Sequence, residues 1–182
     1  QWLRDRMKFF SKASETEKII KSLSDNKNIY LVPAFTGLGA PYWKANVRGV
    51  LSGLTRDTGP KEIIRATIES VAYQTYDLFE AMKHDGLRPR LVKVDGGMVM
   101  NNWFSQFLSD VVNVGVLRPK VQETTALGAA FMAGLQIGVY KSLKDISKNW
   151  SLDKKFLPKI KNTNRRKLLI GWSKAIKRTL IN

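Results

Sequence analysis

The sequence predicts an α/β layered domain, and three observations lead there. Short apolar runs bounded by Gly, Pro and polar residues, at 29–32, 49–55, 91–94 and 115–117, alternate with longer stretches of helical period. The 182 residues are 43% hydrophobic and 10% aromatic, enough for one core of ordinary size. Zero Cys and a single His exclude a disulfide framework, a thiolate zinc site, a Cys nucleophile and a multi-His metal centre.

The elements follow in order. Trp2, Leu3, Met7, Phe10, Ala13, Ile20 and Leu23 share one apolar side, so 2–23 reads as a helix. A buried strand at 29–32 ends at Pro33, and a Gly/Pro/aromatic loop carries the chain to a strand-like run at 49–55. Pro60 suits the first turn of a helix. The next stretch, 61–82, is the most strongly periodic, with Ile64, Ile68, Val71, Thr75, Leu78 and Met82 on one stripe. Asp85, Gly86 and Pro89 stop it. A strand at 91–94 breaks at Gly96-Gly97, and Asn101 or Asn102 caps a helix reaching about residue 113. After a strand at 115–117 comes a small-residue helix, 124–137, whose Ala126, Gly128, Ala129, Ala130, Ala133 and Gly134 permit close backbone approach. A last helix spans 163–180.

Charge is concentrated at one end. The net charge is +16, and residues 141–182 hold 13 Lys plus Arg against only Asp145 and Asp153. Such a segment attracts nucleic acid, an acidic partner or an anionic membrane surface. A solvated Lys-rich face is the reading preferred, because the segment lacks an aromatic RNA-binding signature and its Trp150, Phe156 and Trp172 are spaced like core anchors. From about residue 142 it reads as a basic appendage. No apolar run reaches the roughly 18 residues of a membrane span, and no signal peptide is visible. A start on Gln1-Trp2, inside an amphipathic pattern, suggests a chain that begins mid-protein.

The most informative local feature is Val94-Asp95-Gly96-Gly97-Met98-Val99-Met100-Asn101. Paired glycines let backbone approach a flat ligand or a phosphate, and the helix that follows offers free N–H groups to an anion. A tight strand-to-helix turn explains the same eight residues equally well. Neither a Gly-Lys-Ser/Thr nor a third spaced Gly follows, so this is no Walker or Rossmann loop. The loop from Pro33 to Trp43 lines a pocket with Phe35, Tyr42 and Trp43, or, the preferred reading, packs on its own aromatics. Asp95 alone is poor evidence for a metal. Asp57, Asp77 and Asp110 read as turn or helix-surface residues, and His84 as a surface residue at a helix end. Glu69, among apolar positions, calls for burial beside an Arg.

Longer motifs carry a resemblance. Gly49-Val-Leu-Ser-Gly-Leu54, then seven residues, then Glu62-Ile-Ile-Arg-Ala-Thr-Ile-Glu69 fits the second signature of the FGGY family of carbohydrate kinases. The segment Pro33-Ala-Phe-Thr-Gly-Leu-Gly-Ala-Pro-Tyr-Trp43 resembles the form of this loop in the family's glycerol-phosphorylating branch. Ala72-Tyr-Gln-Thr75, Val94-Asp-Gly-Gly97 with Asn101-Asn102, and Thr125-Ala-Leu-Gly-Ala-Ala130 extend the match over the whole chain.

The resemblance implies a ribonuclease H-like, actin-like ATPase domain, incomplete at its N-terminal end, with 1–182 as the C-terminal nucleotide-binding domain and 142–182 as a basic segment. It implies ATP in a cleft against an N-terminal domain of the same protein, Mg²⁺ held mainly outside these residues, and glycerol as acceptor. Gly97 and Asn101 map to nucleotide contacts, as does Gln1; Gly96, the other half of the turn against the nucleotide, is placed with them as cofactor-binding, and Met98 and Met100 pack beside adenine. No catalytic residue is expected here, since the family's base Asp lies upstream. A cytoplasmic homo-oligomer, dimer or tetramer, is implied. The alternatives are a kinase of another polyol or sugar, or a module binding nucleic acid or an acidic partner through the basic segment.

Overall fold

The computed structural model describes residues 1–181. Its elements run α1 (Trp2–Asp5), α2 (Glu15–Lys21), β1 (Tyr30–Val32), β2 (Val50–Ser52), α3 (Pro60–His84), β3 (Leu91–Lys93), a 3₁₀ turn (Gly97–Met100), α4 (Asn102–Val112), β4 (Gly115–Pro119), α5 (Thr124–Gln136), α6 (Leu143–Ser147), β5 (Leu152–Phe156) and α7 (Asn162–Ile181). β1 and β2 pair antiparallel, Leu31 opposite Leu51. A second sheet has the order β3-β4-β5, with β3 parallel and β5 antiparallel to β4. The α/β expectation holds. Among the described residues no helix is long and apolar enough to cross a membrane.

One core joins both sheets. Tyr73 of α3 stacks on Trp172 of α7 at 5.2 Å and meets Phe107 of α4 edge-on at 5.6 Å. Val32, Val111, Val112 and Val116 are fully or almost fully buried around them. Aromatic pairs of this kind add about 0.5–1.5 kcal/mol each beyond the area they bury. α7 comes so close to β1 that a Cβ on Gly171 would stand 2.1 Å from the Tyr30 hydroxyl oxygen. The basic segment is therefore stitched into the body of the domain rather than appended: β5 pairs with β4, and Phe156, Trp172 and Ile176 are buried.

Four expectations change. The single helix over 2–23 is two short helices, because the chain turns at Lys8, whose φ of 57° is left-handed. The turn lets Leu3, Phe9, Phe10 and Ile20 meet Ile64 in one cluster, which a straight helix would spread over nearly five turns. The stripe on α3 is only partly right. Ile64 is buried, but Leu78 and Met82 are exposed, and the deepest positions are Ala66, Glu69, Ser70, Ala72 and Tyr73. On α5 the alanines stay exposed among the described residues, and only Gly134 is buried, under the Tyr140 ring. Strand β5 and the short helix α6 went unpredicted; Leu-Asp-Lys-Lys-Phe has little strand propensity and forms an edge strand blunted by charge.

Asp77 and Asp110 are structural acceptors, not surface residues. Asp77 takes the indole N–H of Trp172 at 2.8 Å. Asp110 accepts from the backbone N–H groups of Lys159 (2.6 Å) and Ile160 (3.2 Å), fixing the loop into α7. Burial pushes the Asp77 carboxyl above the usual aspartate range, against the opposing pull of Trp172. The folded state thus holds this proton to higher pH than the unfolded chain does. The associated stability is present at low pH and is lost as pH climbs through the folded midpoint. Trp172 fluorescence is expected to titrate with a midpoint above the ordinary aspartate value, and D77N is expected to abolish that transition.

Candidate functional site

Three of the residues singled out from sequence meet at one cavity. Its volume is about 460 Å³, and its walls include Gln1, Gly97 and Asn101, with Phe10, Ile68, Met98 and Met100 as apolar surface. Such a volume and lining suit a flat organic group. Gln1 stands exposed at the rim. A Cβ on Gly97 would have nothing within 4 Å, so the turn is bare on that side. Gly96 does not line the cavity; it supplies the left-handed φ of 84° that turns β3 into the 3₁₀ segment.

Asn101 caps α4 and clasps α2 at the same time. Its Oδ1 accepts from Phe104 N–H at 2.9 Å, while its Nδ2 donates to Thr16 Oγ1 at 3.3 Å. Thr16 in turn donates to the Ala13 carbonyl at 2.7 Å and is buried. From below, Arg118 of β4 donates to the Val99 carbonyl at 2.7 Å and to Asn102 Oδ1 at 3.2 Å, and pairs with Asp153 at 2.7 Å. The turn is thus pinned from both sides. N101A is expected to cost about 1 kcal/mol of stability from the lost cap alone, read as a shift of the urea midpoint with unchanged slope.

The start of α4 is already occupied by an anion. Glu17 Oε2 accepts the N–H of Asn102 at 3.1 Å, and its Oε1 takes the Lys21 ammonium at 2.6 Å. Partial burial pushes the Glu17 carboxyl up; Lys21 and the Asn102 N–H outweigh that and hold it below the usual range. A carboxylate at a helix N-terminus is favoured by the dipole, and it repels phosphate from the same place. At this helix end the Asn102 N–H is therefore taken by Glu17 rather than left free; the cavity beside it offers apolar surface, the Gln1 and Asn101 amides, the Arg4 guanidinium and the Glu17 carboxylate.

The other candidates lie elsewhere. Phe35 and Trp43 are 50% and 76% exposed, but Tyr42 packs on the core. Paired backbone bonds between Leu38 and Lys44 close the loop on itself, so it is compact, as the preferred reading has it, though not through all its aromatics. None of the three lines this cavity. Phe35 instead meets Trp2 at a tilt of 51°, ring centroids 5.1 Å apart. Asp95 accepts from the Thr124 hydroxyl. His84 stands in solvent beside Asp85. Glu69 is fully buried and bonded to Arg65, as its position required. Sequence reasoning missed Phe10, Thr16, Glu17 and Arg118 at this site. Only Arg118, a lone base in an apolar strand, gave a signal.

The sequence pattern of the FGGY family of carbohydrate kinases, C-terminal domain, matches residues 1–137. Glycerol kinase 1 of Pseudomonas aeruginosa is 52% identical over 178 residues, 98% of this chain and 36% of that protein. The glycerol kinase of Clostridium botulinum is 48% identical over 181 residues, again 36% of its length. Among solved structures, Plasmodium falciparum glycerol kinase with ADP superposes with a TM-score of 0.86 at 34% identity, covering all of this chain and 36% of that one. Xylulose kinase from Lactobacillus acidophilus shares the fold, with a TM-score of 0.72 at 24% identity. The chain thus spans about 36% of the length of the curated relatives it matches.

Proposed function

Since this chain belongs to the FGGY family of carbohydrate kinases and carries the actin-like fold of their C-terminal domain, we propose that it is the adenosine-holding domain of an ATP-dependent glycerol kinase. The complete enzyme would move the ATP γ-phosphoryl group to a glycerol hydroxyl and yield glycerol 3-phosphate. The observation that supports this best is the meeting of Gln1, Gly97 and Asn101 at one cavity beside apolar Met98 and Met100. Curated relatives over almost the whole chain are glycerol kinases, and one solved relative was crystallised with ADP.

The chain's own residues would act by binding and orientation. Gly97 leaves room for the nucleoside to lie against bare backbone. Met98, Met100 and Phe10 would flank the base, and Gln1 and the second Nδ2 hydrogen of Asn101 would supply donors. Glu17 would keep the triphosphate out of the apolar end and direct it toward the cleft. Among the described residues no cluster of three His, Cys, Asp or Glu side chains gathers to hold a metal. Mg²⁺, which would offset charge on the transferring phosphoryl group, is assigned with the general base and the acceptor-binding groups to the N-terminal domain. A cytoplasmic setting and a dimeric or tetrameric assembly complete the reading.

The test is a coupled assay on the complete enzyme with glycerol, xylulose, gluconate and ribulose. ADP release with glycerol alone supports the proposal. Preference for a sugar would move the assignment to another member of the family. Residues 1–182 alone are expected to bind adenine nucleotide without turnover; phosphorylation of glycerol by them would refute that division of labour.

A further inference from the structure

A second cavity, of about 420 Å³, is lined by Asn102 and Lys21, while Asn101, next to Asn102 in the chain, and Glu17, the ion-pair partner of Lys21, line the first. Trp103 lines it, stacked on Phe107 at 4.9 Å, and Lys21, Lys154 and Lys159 stand around it. The neighbouring carboxylates are engaged elsewhere. Glu17 holds Lys21 and the Asn102 N–H. Asp110 accepts from Gln106 at 3.0 Å and from two backbone N–H groups, and Asp153 takes Arg118. Among the described residues neither Lys154 nor Lys159 forms an ion pair. Lys154 rests instead on Asn102 Oδ1 at 3.3 Å and over the Phe156 ring at 5.3 Å, weak partners for an ammonium group.

We propose that this cavity binds a small soluble molecule bearing phosphate groups. Lysine ammonium groups are compact point charges suited to phosphate oxygens. The Trp103 and Leu157 surfaces would take the molecule's carbon skeleton. The site is tied to the first cavity by two short links. Lys154 and Arg118 share Asn102 Oδ1, and Arg118 holds the Val99 carbonyl of the Gly97–Met100 turn. The second link is the Lys21–Glu17 pair. A phosphate that draws Lys154 and Lys21 toward itself loosens both links, and so reaches the wall of the first cavity. The site stands on these residues whatever the first cavity binds.

Inorganic pyrophosphate is the probe, titrated calorimetrically into the purified protein at physiological ionic strength. Saturable binding is expected, weakened about tenfold or more by K154E with K159E, and by K154Q with K159Q as the milder pair. K174E with K177E, an equal charge change on the exposed face of α7, is expected to leave it unchanged. The amide resonances of Val99 and Asn102 are expected to shift along the same titration. No saturable binding, or equal weakening by all pairs, would overturn the site. Binding to phosphatidylserine vesicles without binding of pyrophosphate would also overturn it, and unmoved Val99 and Asn102 amides would overturn the link to the turn.

Discussion

Replacing Glu69 by alanine is expected to lower stability by about 3–5 kcal/mol, the cost of stripping one partner from a buried ion pair. Glu69 has no exposed surface and accepts three bonds: from Arg65 Nε at 2.8 Å, Tyr73 hydroxyl at 3.1 Å and Asn26 Nδ2 at 3.2 Å. Burial pushes its carboxyl above the usual range, and Arg65, Tyr73 and Asn26 pull it back. Removing it leaves the Arg65 guanidinium facing a hollow, held only by the Leu23 carbonyl at 3.0 Å and the Trp103 face. The loop at 24–28 also loses its Asn26 link to α3 and keeps only the Lys27–Glu62 pair. Urea unfolding monitored by circular dichroism reads the effect. E69Q, which keeps the shape and one acceptor, is expected to cost less. A loss for E69A below about 1 kcal/mol, the range of an exposed pair, would show that the network carries no such load.

Filling the bare side of the turn is expected to have the second large effect. Gly97 has an ordinary backbone conformation and open space where a Cβ would go. G97W should therefore fold normally and project its indole into the cavity that Gln1, Met98 and Asn101 share. Adenine-nucleotide affinity is expected to fall at least tenfold, equivalent to about 1.4 kcal/mol, with an unchanged thermal midpoint. G97A is expected to bind nearly as wild type. Unchanged nucleotide affinity in G97W would remove the turn from the site.

Much of this was legible in the residues themselves, and the reasons differ by element. α3, α4 and α7 announce themselves because Pro60, Asn101 and long apolar periods are local signals, and local signals decide long helices. Glu69 was legible because a carboxylate between apolar neighbours has to be paired. The break at Lys8 was not, since an amphipathic pattern reads the same on one straight helix and on two short ones folded onto a common cluster. Strand β5 was hidden because pairing with β4, not its own Lys-rich sequence, makes it a strand. At the site, paired glycines and Asn101 stood out by chemistry. Glu17 and Thr16 did not, because their roles arise from a contact across 85 residues of sequence.

In the order β3-β4-β5, β3 has, among the described residues, a hydrogen-bonded neighbour on one flank only. Its other flank is a row of vacant donors and acceptors, with Leu87 and Leu91 beside it 62% and 54% exposed, an invitation to self-assembly. Arg88, Arg90 and Lys93, in and just before β3, are exposed, so two identical molecules meeting edge to edge there bring six like charges near one another. Dissolved salt would screen them, since roughly 1 M shortens the reach of charge to about 3 Å. Sedimentation of residues 1–182 alone should therefore find single molecules in dilute buffer and growing clusters in concentrated brine, the reverse of what an ion-paired contact would do.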